Sequence, residues 1–210
     1  MSEMPKLIRW YRITEIALKD YVACLKDVYT VLEGRHKSTG SDDVFMRTIM
    51  AAHSGMTPAA WEAAEAHRRY EKALSMKMGD FHEELAGKFP GYRTLKNGDE
   101  TGCDVQKIDG SEIWEWKNRD NTMNSGAAAT VMSKLTKASA KSMKPYLVLV
   151  NCEKKTVPRL GAPESVTVLT GRQAYAQLSG RAEFFDDLNA TLDHTFRTYP
   201  TYATLLSMLT

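Results

Sequence analysis

GCDVQKIDGSEIWEWKN, residues 102–118, holds two tryptophans, four acids and two lysines. Asp109-Gly110 divides it into two runs, 103–108 and 111–118, that alternate with period two. An Asp-Gly pair between alternating runs is a strong signal for a two-residue hairpin turn. Counting outward from that turn pairs Ile108 with Ser111, Lys107 with Glu112, Gln106 with Ile113, Val105 with Trp114 and Asp104 with Glu115. Directly opposed residues leave a sheet from the same face, with Cβ atoms ~5 Å apart. The register therefore predicts that Asp104 and Glu115 point together. Lys117, two residues after Glu115, lies on their face, whereas Trp114 and Trp116 point the other way, toward an apolar layer.

Two ionised carboxylates placed opposite each other destabilise a hairpin. A divalent cation between them removes the repulsion. Mg²⁺ takes one or two carboxylates together with waters and phosphate oxygens. Lys117 beside such a pair can hold a water or meet a phosphate, so the set suits phosphodiester hydrolysis. The rival reading is a plain charged hairpin. A useful contrast is Glu153-Lys154-Lys155, which repeats the E-x-K spacing after the apolar run 147–150. It has no opposed upstream acid and reads as a solvated strand end.

The surrounding pattern divides the chain. Residues 6–32 carry apolar side chains at helical spacing, a short helix is expected at 43–53, and Thr57-Pro58 supplies an N-cap and a first-turn proline for a long helix. Gly79-Asp80 punctuates that helix, which continues or restarts through 80–89. A short strand is expected near 92–95, a lysine-studded helix at 126–143, strands at 145–151 and 165–171, and helices to the end. This order predicts an α/β fold, a mixed central sheet flanked by helices. Residues 1–78 form a helical N-terminal region in this reading, and 79–210 the core with its C-terminal helices.

Bulk composition narrows the class. No apolar run approaches the length of a membrane span, and the charged N-terminus lacks the apolar centre of a signal peptide. Three scattered cysteines fit a cytoplasmic protein and offer no zinc motif. Net charge is only +2, but residues 118–160 carry 8 basic and 2 acidic side chains. That excess directly follows the hairpin, where an anionic polymer would use it. Lys134, Lys137, Lys141 and Lys144 fall along one side of the expected helix, either as phosphate contacts or as a solubilising face. Asn118, Arg119 and Asn121 leave the second strand toward the substrate side; Arg and Asn are good readers of bases. The N-terminal stripe with Trp10, Tyr11, Tyr21 and Tyr29 reads as core packing or as a dimer interface.

The stretch Gly102-Cys103-Asp104-Val105…Ile113-Trp114-Glu115-Trp116-Lys117 resembles the signature of the PD-(D/E)xK nucleases, with Asp104, Glu115 and Lys117 in its three positions. Cys103 stands where the family's proline usually does. The resemblance covers about residues 78–155 and implies a restriction-endonuclease-like core: a helix, three antiparallel strands, a helix and a strand. It implies a Mg²⁺ cofactor held by Asp104, Glu115 and the Val105 carbonyl, and a water oriented by Lys117. It also implies an auxiliary acid on the helix before the hairpin. Of the two candidates Glu84 flanks the stripe of Phe81, Leu85 and Phe89, whereas Glu83 points nearly opposite it. The chain is most similar in kind to type II restriction endonucleases. That implies double-stranded DNA as substrate, a homodimer for a palindromic site and a partner DNA methyltransferase. A repair nuclease such as a junction resolvase, or an idle DNA-binding module on the same fold, stays open as the alternative.

Overall fold

The hairpin forms in the expected register. In the computed structural model, which describes residues 9–35, 42–95, 98–118, 125–152 and 162–210, Val105 pairs with Trp114 and Gln106 with Ile113. Gly110 has φ +76°, a conformation open to glycine at this turn, and the Asp109 carboxylate accepts hydrogen bonds from the Ser111 amide and hydroxyl.

Around this hairpin the chain runs α1 (Leu18–Cys24), α2 (Lys26–Leu32), α3 (Val44–Ser54), α4 (Pro58–Ala86), β1 (Tyr92–Thr94), β2 (Val105–Lys107), β3 (Glu112–Lys117), α5 (Ser125–Ala140), β4 (Lys144–Leu149), β5 (Thr167–Thr170), α6 (Gly171–Ser179), α7 (Phe184–Thr198) and α8 (Tyr202–Leu206). The five strands lie in the order β1-β2-β3-β4-β5. The first three are antiparallel neighbours, and β4 and β5 run parallel to β3. The sheet is therefore mixed, and α4, β1–β3, α5 and β4 reproduce the expected core order.

Helices cover both faces. On one, Val105, Trp114, Trp116, Tyr146 and Val148 pack with Phe81 and Leu85 of α4, Tyr175 of α6 and Phe184 of α7. On the other, Ile113, Leu147, Leu149 and Val168 meet Val131, Leu135 and Ala138 of α5. α4 starts as read, with Pro58 in its first turn and the Thr57 hydroxyl accepting from the Ala60 amide. It then runs unbroken for 29 residues, so the boundary expected at 78/79 falls inside a continuous helix. At its C-terminal end Gly87 meets β1 so closely that a Cβ there would stand 2.4 Å from the Thr94 backbone nitrogen.

Two local expectations need correction, the start of the first helix and the run of lysines, while the aromatic stripe packs as its core reading predicts. Among the described residues the first helix begins at Leu18, and residues 9–17, expected inside a helix, are irregular although Ile13 and Ile16 are fully buried. The aromatic stripe is used inside the chain: Trp10 stacks on His194, the Tyr21 hydroxyl bonds with Thr195, and the Tyr29 hydroxyl donates to the Tyr199 carbonyl. The helix after the hairpin ends at Ala140, and Ser142 turns the chain with φ +65°. Lys141 thus lies past the helix and Lys144 opens β4, so the four lysines do not share one helical side.

Candidate active site

β3 carries the central pair of charges because its alternation is strict. Ile113 and Glu115 face α5, while Trp114 and Trp116 face the aromatic core. Asp104 sits just before β2, where its amide donates to the Trp114 carbonyl at 3.1 Å, so the ladder slips by one residue beyond Val105 and Asp104 does not stand squarely opposite Glu115 as simple counting predicts. Its carboxylate accepts from the Trp116 amide at 2.7 Å. Lys117 Nζ reaches both acids, 2.7 Å from Glu115 Oε1 and 3.8 Å from Asp104 Oδ2. Sequence counting thus brought Asp104, Glu115 and Lys117 to one place, and the fold joins them there.

The environment is dry. Glu115 is 2% exposed. Burial, reinforced by the charge of Glu115, raises the Asp104 pKa; Lys117 and the Trp116 amide oppose the shift. Burial also works against the charge on Lys117, but Asp104 and Glu115 outweigh it and hold its pKa up.

The helical acid beside this set is Glu83. Burial first, and then Asp104, push its pKa to about 8, with Lys117 pulling the other way. Glu83 and Lys117 line the same cleft of about 1070 Å³ between α4, the end of β3 and α7. Glu84 does not occupy the expected place. After burial, its electrostatic neighbours are Asp27, Lys88, Asp80 and Lys77, on the side of α2. The reason is His82. It is 6% exposed, its Nδ1 lies 2.8 Å from the Tyr175 hydroxyl, and burial lowers its pKa to about 4. With His82 and Ala86 also inside, the buried stripe of α4 is wider than Phe81, Leu85 and Phe89 suggest, and the two acids flank it about equally. Packing, not periodicity, selects the flank.

The basic residues divide. Lys134 turns inward, 3.3 Å and 3.5 Å from the two Glu115 oxygens. Lys137 is exposed, Lys141 is 4.0 Å from exposed Glu100, and Lys144 lies 5.1 Å over the Tyr146 ring. The Asn118 side chain donates to the Ser75 carbonyl at 3.2 Å and accepts from the Asn151 side chain at 2.6 Å. It ties the end of β3 to α4 and lines the cleft. Arg119, Asn121 and the Glu153-Lys154-Lys155 contrast lie outside the described residues.

The donor set fits a hard divalent cation. Asp104 and Glu115 offer carboxylate oxygens, with the Val105 carbonyl as the further ligand that the resemblance implies. The neighbouring Cys103 thiol is pushed up to about 12 by burial and then by Glu115, so it offers no thiolate. Among the described residues no three His, Cys, Asp or Glu side chains converge into a complete cage. An ion that keeps waters and takes phosphate oxygens needs only one or two carboxylates.

A helix, three antiparallel strands, a crossover helix and a parallel strand, with this acidic pair and lysine at the central strand, define the restriction-endonuclease-like class. The chain belongs to the Eco47II restriction endonuclease family, whose model matches residues 43–197. It is similar to the type II restriction enzyme Sau96I of Staphylococcus aureus, with 29% identity over 124 residues covering 56% of this chain and 47% of that protein. The chain thus spans about half the length of this curated relative. Among the described residues no helix is long and apolar enough to cross a membrane.

Proposed function

We propose that this chain is a Mg²⁺-dependent, site-specific endonuclease that hydrolyses phosphodiester bonds of double-stranded DNA, a type II restriction enzyme. The observation that carries the proposal is the convergence of Asp104, Glu115 and Lys117 at the dry face of β3. Asp104, Glu115 and the Val105 carbonyl would hold the metal. A Mg²⁺ held there would supply Lewis acidity toward a phosphate and a water. Lys117 would orient the attacking water in line with the scissile phosphorus. The P–O3′ bond would break as the new P–O bond forms, the attacking water giving up a proton and the departing 3′ oxygen taking one from solvent, to leave a 5′-phosphate and a 3′-hydroxyl. Glu83, held near the pair, replaces Glu84 as the auxiliary acid. Lys137, Lys141 and Lys144 would meet phosphates along the strand, and Asn118, Arg119 and Asn121 the DNA beyond the catalytic strand. The enzyme works as a homodimer on a palindromic site, in the cytoplasm, beside a DNA methyltransferase that protects the host.

A digest of supercoiled plasmid and of a long linear DNA with Mg²⁺ tests this. Discrete fragments that require Mg²⁺ are expected. Smears, or cutting confined to branched substrates, would favour a repair nuclease. Failure to cut any DNA would sink the proposal, and Mg²⁺-independent binding unchanged by Glu115→Gln would point to an idle DNA-binding module.

A further inference from the structure

Glu115 is buried, and two ammonium groups from different elements flank it. Lys117 comes from the same strand. Lys134 comes from α5, across the thinner apolar layer, and reaches both carboxylate oxygens. The seat of Lys134 is built for it. Its Nζ donates to the Gly102 carbonyl at 2.5 Å. Its stem runs along Gly102, where a Cβ would stand 3.4 Å from Lys134 Cε. Gly102 has φ +64°, the left-handed turn that ends the approach to Asp104. Lys137, one turn further along α5, is exposed instead. Lys134 is therefore turned in by a specific pocket, and is not one of a row of surface lysines.

Charge explains why such a seat exists. A buried carboxylate without a cation is strongly disfavoured. Lys117 and Lys134 together balance Asp104 and Glu115, two positive charges against two negative. A divalent cation added to this balanced set would meet two ammonium groups within a few ångströms. It is accommodated when one of them withdraws and an anionic phosphate arrives. Lys117 Nζ is shared between both acids and the Trp116 carbonyl. Lys134 Nζ contacts Glu115 alone of the two acids, and comes from a separate helix, so it is the group able to leave.

We infer that Lys134 is an internal counter-ion of Glu115, a positioning residue that fixes this carboxylate in the free protein and withdraws when a divalent cation binds, so that metal binding is coupled to the arrival of a DNA phosphate. The inference rests on the nuclease reading of Asp104 and Glu115. It departs from a simple phosphate-contact role for Lys134.

The test is titration of the full chain with Mg²⁺ alone, in the absence of DNA, by calorimetry. Lys134→Met keeps the stem and removes the charge, and should bind Mg²⁺ roughly tenfold more tightly than the unaltered protein, within the range usual for coupled binding events. Lys134→Arg keeps the charge and should stay near the unaltered affinity. Equal or weaker binding by a folded Lys134→Met protein would overturn the inference, even if the unaltered protein cuts DNA. A second measurement needs no variant: saturating Mg²⁺ should raise the acetylation rate of Lys134, relative to Lys137, several-fold by mass spectrometry. An unchanged ratio would overturn the inference as well. If Mg²⁺ binds to none of the proteins and none cuts DNA, the reading of the site falls and the inference with it.

Discussion

The two faces of β3 come from the same six residues and do opposite work. Toward α4, α6 and α7, Trp114 stacks on Tyr146 with ring centroids 4.1 Å apart, and Trp116 lies 5.3 Å from Tyr175. Glu112, on that same face, is satisfied by the Tyr92 hydroxyl and the Trp114 indole. Toward α5, the side chains are smaller, and the strand presents Glu115 and then Lys117. One face is an aromatic layer that holds the strand still. The other holds charges that only a fixed backbone can keep together. The lesson is that the tryptophans and the acids are one device: period two converts a rigid hydrophobic seat into a precise placement of polar atoms on the reverse side.

Substitutions on each face should separate these roles. The largest effect is expected on the charged side: Lys117→Ala should lower DNA cleavage by about a thousandfold or more at a temperature where circular dichroism shows the variant still folded, Lys134 continuing to neutralise Glu115. A protein that simply unfolds would break the division. On the apolar side, Trp114→Ala should cost about 3 kcal/mol of stability, read by urea denaturation. Cleavage at a temperature where the variant is still folded should fall far less than for Lys117→Ala. Glu83 tests the border between the two. In an unfolded chain it loses its proton near pH 4.5, but in the folded protein only near pH 8. The folded state therefore becomes progressively less favoured as pH rises through that window. With chelator present, Glu83→Gln should be more stable than the parent by about 1–2 kcal/mol at pH 8, solvent screening having been allowed for. The gap should shrink toward zero by pH 4. A constant gap across pH would show that Glu83 is not pressed against the acidic pair.

Much of this was legible because a hairpin is counted, not guessed. With Asp109-Gly110 as the turn, the pairing of Val105 with Trp114 follows by counting and fixes the faces of β2 and β3. Helical surfaces gave less. Whether Glu83 or Glu84 turns to the sheet depends on which flank of α4 packs toward β3, and on the burial of His82 against Tyr175. The lysine row failed for a different reason: a local turn at Ser142 ended the helix before Lys141, and no periodicity announces that. Lys134 left no signal of its own, because its partner Glu115 is 19 residues away and on another element. Asn118 lines the cleft, on the side that the sequence assigns to substrate, but its ties to Ser75 and Asn151 have no sequence signal. Short-range order could be read; the long-range choice among equivalent surfaces could not.

Gly87 shows how narrow the tolerance is. The backbone of α4 meets the backbone of β1 there with no room for a methyl group, and Glu83 lies one turn earlier on the same helix. The clearance at this point acts like a shim of zero thickness between the helix and the sheet. Any side chain inserted there would tilt the helix away from β1 and carry Glu83 off the acidic pair, although nothing at position 87 touches the charged groups. The alignment of the site is therefore set in part by an atom that is missing from the far end of its neighbour.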